Sequence, residues 1–68
     1  MTPAQIRNNP DLYFHHSAKV AGYASRKAHG KVVPYEGRFG RGFLILEPLF
    51  KSTRYCLGSY YIYKEKQP

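Results

Sequence analysis

The stretch YEGRFGRGFLILEP, residues 35–48, contains three glycines and two arginines among aromatic residues, followed by a run of four apolar residues. The glycines supply the backbone freedom that a connection between strands needs. The apolar run that begins at Phe43 presents apolar side chains on alternate sides of an extended chain. Because a strand that is apolar on both sides is covered on both sides, residues 42–47 are predicted to form a central strand of a sheet.

Two further strands are predicted around this one. Residues 31–33 form a short strand, and Pro34 should place it at an edge or end it, because proline cannot donate to a strand ladder. Residues 53–64 are rich in tyrosine, a good strand former, with a bulge or break expected at Gly58. The segment 31–64 is therefore predicted to be an antiparallel β-meander.

The N-terminal segment contains the signals of a short helix. Thr2 and Gln5 have the spacing of a capping box, and Pro3 occupies the first helical position. Asn8-Asn9-Pro10 should end the helix within a few residues. Residues 1–16 are thus predicted to be an N-terminal arm or a short helix.

A second helix is predicted over residues 17–30. Ser17 can cap it, alanines recur through it, and Gly30 stands where a C-terminal glycine belongs. The same residues also alternate as a strand would, so the strand alternative stays open. The predicted fold class is α+β: an N-terminal helix, or two short helices, packed on a three-stranded antiparallel sheet, in a single domain of 68 residues with a tail at 65–68.

The charge balance points to an anionic partner. Eleven Lys and Arg against four Asp and Glu give a net charge of +7 and an isoelectric point near 9.8. Such an excess favours polyanions, nucleic acid first. Cys56 is the single cysteine, so no internal disulfide can form, and no apolar run approaches the length that crosses a bilayer. A cytoplasmic protein without a membrane partner is expected.

Known phosphate and RNA motifs are incomplete in the glycine-rich stretch. Gly37 and Gly42 have the spacing of a phosphate-binding loop, but Phe43 replaces the required lysine and a strand follows instead of a helix. Arg41-Gly42-Phe43 matches only the opening of the RNA-recognition octamer. The stretch is therefore interpreted as a turn between strands whose tip carries Arg38, Phe39 and Arg41.

Catalytic, metal and cofactor chemistry are not indicated. The four acidic residues form no evident pair for acid–base catalysis, so no enzyme and no cofactor are expected. The histidines and Cys56 lack the paired spacing of a zinc site. His15 and His16 are interpreted as a solvent-exposed pair near a helix start, and Cys56 as a small core residue.

The predicted function is that of a small basic module that binds DNA or RNA. Arginines and lysines would contact phosphates, while tyrosines and phenylalanines would stack on bases. The predicted contact residues are Arg26, Lys27, Lys31, Arg38, Phe39, Arg41, Lys51, Arg54, Tyr55 and Tyr61. The alternative is a protein-interaction module, such as an inhibitor or accessory factor or a homodimer, that uses the exposed tyrosine-rich strand.

Overall fold

The computed structural model describes residues 1–21, 29–49 and 53–64. Within these ranges the chain forms one short helix and four strands, which pair in a single antiparallel sheet in the order β1-β4-β3-β2. The elements are α1 (Pro3–Arg7), β1 (Leu12–Ala21), β2 (Lys31–Gly37), β3 (Gly40–Pro48) and β4 (Tyr55–Tyr63).

The predicted fold class is wrong, because the sheet has a fourth strand where a second helix was expected. Residues 17–21 continue β1, which pairs with β4 from Leu12 opposite Tyr63 to Ala21 opposite Tyr55. Residues 22–28 of the predicted helix lie outside the described residues, and residues 29–30 form a turn. The protein is mainly β-structure, not a helix packed on a three-stranded sheet.

Tertiary pairing explains why residues 17–21 are extended. The helix propensity of alanine exceeds that of the poorest ordinary helix formers by only about 0.7 kcal/mol per position. In β1, Val20 instead packs against a buried cluster that contains Leu46 and Cys56. Ala18 lies directly opposite Gly58 of β4. Burial and strand pairing together outweigh the local helix preference.

The three strands predicted after residue 30 are present. β3 lies between β2 and β4, as its apolar character on both sides indicates. β2 contains Pro34 and lies at an edge of the sheet, where proline is tolerated. β4 runs without interruption through Gly58, and the register shift instead lies in β1, between Phe14 and His16.

The sheet buries apolar side chains on both faces. On one face, which we call the helix-side face, Ile6 of α1 packs with Leu12 and Ile45. On the opposite face, Leu44 and Leu46 of β3 pack with Cys56 of β4. Because neighbouring residues of β3 alternate between these clusters, β3 forms the centre of the core on both sides.

The predicted capping box is present at the start of α1. The Thr2 hydroxyl accepts a hydrogen bond from the Gln5 amide at 3.2 Å, and the Gln5 side-chain oxygen accepts one from the Thr2 amide at 2.9 Å. Arg7, in the last turn, forms an ion pair with Glu47 of β3 at 3.1 Å. These contacts hold α1 over the helix-side face.

Replacing Thr2 by alanine should lower the free energy of unfolding by about 1 kcal/mol, because an amide at the helix start loses its acceptor. Urea denaturation followed by circular dichroism measures the change. Thr2→Ser is the matched control, since it retains the hydroxyl and should stay close to the wild type. Equal stability of the alanine and serine variants would contradict a stabilising role for the cap.

Candidate nucleic-acid interface

The helix-side face carries a group of aromatic rings beside the α1 contact. Phe14 lies on β1, Phe43 on β3, and Tyr61 and Tyr63 on β4. The last three are half-buried and pack around the Ile6–Leu12–Ile45 cluster, whereas Phe14 is 52% exposed. These four rings, together with Arg41, are called the aromatic platform.

The rings of the platform contact one another directly. Phe14 meets Tyr61 edge to face, with ring centroids 5.6 Å apart. Phe43 meets Tyr63 at 6.0 Å in a tilted arrangement. The Arg41 guanidinium carbon lies 5.5 Å from the centre of the Tyr63 ring, a cation–π distance. A cation is therefore held next to aromatic rings that remain partly accessible.

Strand register produces this arrangement. Phe43 of β3 and Phe14 of β1 both lie directly opposite Tyr61 of β4, so three aromatic residues form one row across three strands. Such cross-strand neighbours have Cβ atoms about 5 Å apart and share one face of the sheet. The tyrosine period of β4 then adds Tyr63 to the same face.

A groove of about 520 Å³ lies at the edge of the platform. It is lined by Pro34, Tyr35, Glu36, Arg41, Gly42, Phe43 and Tyr63. Glu36 lies directly opposite Arg41 in the β2–β3 register. The groove therefore combines apolar walls with one anionic and one cationic side chain.

The hairpin between β2 and β3 has Arg38 and Phe39 at its tip. Gly37 and Gly40 pair across the base of this two-residue turn, and Gly40 has a φ of 118°, which glycine adopts without strain. The predicted turn is thus confirmed. Arg41, however, lies on β3 and belongs to the platform instead of the tip.

Phe39 is packed on the opposite face of the sheet. Its ring centroid lies 4.5 Å from that of His15 and 4.9 Å from that of His16. His16 also stacks on Tyr60 at 4.7 Å and an interplanar angle of 11°. These contacts with β1 and β4 anchor the hairpin tip, although Phe39 remains 41% exposed.

The histidine pair differs from its interpretation as an exposed pair near a helix start. His15 and His16 lie in β1 and are half-buried. The register shift before His16 allows both rings to contact Phe39, although neighbouring strand residues normally point to opposite faces.

Across residues 1–21, 29–49 and 53–64, no three His, Cys, Asp or Glu side chains form a group that could hold a metal ion.

A second group of exposed side chains lies at the other end of β4. Tyr55 is 43% exposed, and the Lys19 ammonium is 6.0 Å from the centre of its ring. Arg54 precedes Tyr55 and is exposed. Tyr55 and Tyr61 are six residues apart along one strand, a span of roughly 20 Å.

The predicted contact residues therefore do not converge on one patch. Arg41 and Tyr61 lie together on the platform, with Arg38 and Phe39 at the adjoining hairpin tip. The residues at the other end of the sheet are Lys31, Arg54 and Tyr55. The predicted residues outside the described ranges are Arg26, Lys27 and Lys51.

Three platform rings and one cation were missed by the sequence prediction. They are Phe14, Phe43, Tyr63 and Lys19. Tyr63 shares the two-residue period of Tyr61 along β4, which places both on one face, but it was not included among the predicted contact residues. Phe14 carried no such signal, because its place beside Tyr61 depends on the unpredicted β1–β4 pairing.

Cys56 is fully buried in the core cluster of the opposite face, as predicted. Burial raises the pKa of the Cys56 thiol, while a backbone hydrogen bond opposes this rise. The thiol lies 3.8 Å from the Val20 carbonyl oxygen, which accepts its hydrogen bond. Such a protonated, inaccessible thiol has a packing role.

No protein-family model, curated protein or solved structure matches the chain. In the part of the chain that the structure describes, no helix has the length and apolar character needed to cross a membrane.

Proposed function

We propose that the protein binds single-stranded nucleic acid on the aromatic platform. The observation that carries this proposal is that Arg41, held over Tyr63, and the exposed ring of Phe14 lie on one face of the sheet, in a chain with a net charge of +7. Aromatic rings stack on bases of any sequence, and neighbouring cations contact the phosphates. The platform supplies both kinds of group side by side.

Exposure of Phe14 supports a binding role for this face. A phenylalanine ring that stays 52% exposed leaves apolar surface in contact with water. Phe14 is continuous with the accessible parts of Tyr61, Phe43 and Tyr63, and continuous apolar patches mark interaction sites. Each base stacked on such a ring contributes roughly 1–3 kcal/mol to binding.

The shape of the interface favours a single strand over a duplex. Rings on a sheet surface can stack only on bases that are not already paired and stacked within a helix. Reading of a duplex groove generally uses a helix or a β-ribbon that enters it. The one helix in the described residues, Pro3–Arg7, instead uses Ile6 to cover the sheet.

The test is a fluorescence-anisotropy titration with labelled single-stranded DNA and RNA oligomers, and with a duplex of the same length, at several salt concentrations. We expect the single strands to bind more tightly than the duplex, with affinity that falls as salt rises. Absence of binding even at low salt would disprove the proposal.

Replacing both Arg38 and Arg41 by glutamine should weaken binding to every single-stranded oligomer. If both contact phosphates, the slope of log affinity against log salt should become shallower by about 0.7 for each arginine removed. Arg7→Gln is the matched control, because the Arg7 side chain on α1 pairs with Glu47 of β3 and is not one of the cations of the platform or the hairpin tip. A slope change in the Arg7 control that is half of the change in the double variant would show that only net charge matters, because the control removes one charge and the double variant removes two.

A protein partner is the second candidate, since the same exposed rings could contact a protein surface. The main chain of β4 is paired on both sides, with β1 and with β3, so this strand cannot accept a partner's strand. A protein partner that contacts β4 would therefore use the side chains of the platform. Co-purification with and without nuclease separates the two functions, because a protein contact survives removal of nucleic acid.

A further inference from the structure

Glu36 is an acid beside an otherwise cationic and aromatic surface. It lines the groove at the edge of the platform together with Arg41, which lies directly opposite it in the register. The chain has only four acidic residues against eleven lysines and arginines. A carboxylate repels phosphate, so it marks a position where a nucleic acid would present a hydrogen-bond donor instead.

The groove has the dimensions and walls of a site for one nucleotide. Its volume of about 520 Å³ lies within the range of small-molecule sites. Phe43, Tyr63 and Pro34 supply apolar surfaces for a planar ring. Arg41 can contact the adjoining phosphate while Glu36 faces the edge of the base. The cationic and the anionic side chain of the groove then bind different parts of the same nucleotide.

The bases differ in how well they match a carboxylate. Guanine presents two adjacent N–H donors, N1–H and the N2 amino group, and these pair with both oxygens of one carboxylate. Adenine and cytosine each present an amino donor beside a ring nitrogen that is an acceptor and would repel the second oxygen. In thymine and uracil, the single N–H donor lies between two carbonyl oxygens. A bidentate hydrogen-bond pair therefore selects guanine.

We propose that the groove binds a guanine base of the single strand, with Glu36 accepting two hydrogen bonds from its Watson–Crick edge. This inference rests on the proposed function, because it names the base that the platform's groove prefers. Recognition of unstacked bases through this edge is the usual route to sequence preference in single strands. The rings of the platform bind the remaining bases without preference.

The experiment compares labelled oligothymidylates that carry guanine, adenine, cytosine or thymine at one central position. The guanine oligomer should bind the wild-type protein about tenfold more tightly than the thymine oligomer, as one bidentate base contact allows. Glu36→Gln should remove this preference, because an amide offers one acceptor and one donor in place of two acceptors. Its affinity for the thymine oligomer should be unchanged or higher.

Glu47→Gln is the matched control, since it makes the same change in charge at a residue paired with Arg7 and should retain the guanine preference. Competition by free nucleotides gives a second measurement on the unmodified protein: guanosine monophosphate should displace a labelled oligomer at about one tenth of the concentration that uridine monophosphate needs.

The outcomes separate the two proposals. Equal affinity for all four oligomers, or a guanine preference that persists in Glu36→Gln, would overturn the role of Glu36 and leave single-strand binding standing. Failure of every oligomer to bind would overturn both. Loss of the preference in Glu47→Gln as well as in Glu36→Gln would assign it to net charge and overturn the guanine site.

Discussion

Replacing Gly58 by valine should lower the free energy of unfolding by roughly 3 kcal/mol, at the upper end of what overpacking usually costs. A Cβ atom at this position would lie 2.5 Å from Val20 Cγ2 and 2.7 Å from Leu44 Cδ1. Both side chains pass over the glycine from the neighbouring strands, so added carbons must displace them. A domain of this size has a total stability of roughly 3–10 kcal/mol, which makes the loss easy to measure by urea denaturation.

Two variants separate overpacking from other effects of the substitution. Ala21→Val adds the same kind of side chain at an exposed position of β1 and should change stability little. Val20→Ala should partly restore stability to a Gly58→Ala protein, because it removes the methyl groups that the new Cβ meets. Additive destabilisation by Val20→Ala and Gly58→Ala would show that Val20 does not pack over Gly58.

The same contact shows why the fold class could not be predicted. Residues 17–21 combine alanines with a capping serine, and those local signals favour a helix. What makes them a strand is the pairing of Ala18 with Gly58 and the burial of Val20 against Cys56, both far away in sequence. Long-range pairing of this kind leaves no pattern in the local sequence. The preference of a residue for a strand is itself set largely by its neighbours on adjacent strands.

Local signals, by contrast, predicted their structures correctly. The capping box at Thr2 and Gln5 depends on residues three apart, and it is formed. The two-residue turn at Arg38 and Phe39 depends on the adjacent glycines. Pro34 indicates an edge strand because proline has no amide hydrogen to donate to a neighbouring strand. These features need no knowledge of the partner strand.

The residues of the candidate site also differ in whether local sequence signals or long-range pairing determine their positions. Tyr61 and Arg41 could be predicted from strand period and turn composition, and they share one face. Phe39 was predicted as a loop residue for base stacking, but His15 and His16 pack against it from β1. Phe14 was missed for the converse reason, since the same unpredicted strand brings it beside Tyr61.

Replacing Phe14 by alanine should weaken single-strand binding by roughly 1–3 kcal/mol, which is about 5- to 150-fold, because one stacking ring is lost. The slope of log affinity against log salt should stay nearly unchanged, since stacking releases no counterions. Phe14 is a better probe than Tyr61, because it is 52% exposed whereas Tyr61 packs against the Ile45 cluster. The variant should therefore stay folded, which circular dichroism checks before the anisotropy titration.

Tyr13→Ala provides the matched control for the face of the sheet. Tyr13 adjoins Phe14 in β1 and is 40% exposed, but it lies opposite Ile62 and contacts His15. Its loss removes a ring of similar exposure from the other side of the same strand, so affinity should not change. If Tyr13→Ala weakens binding and Phe14→Ala does not, nucleic acid contacts the face that carries the histidines. If neither change affects binding, the aromatic rings of β1 have no part in it.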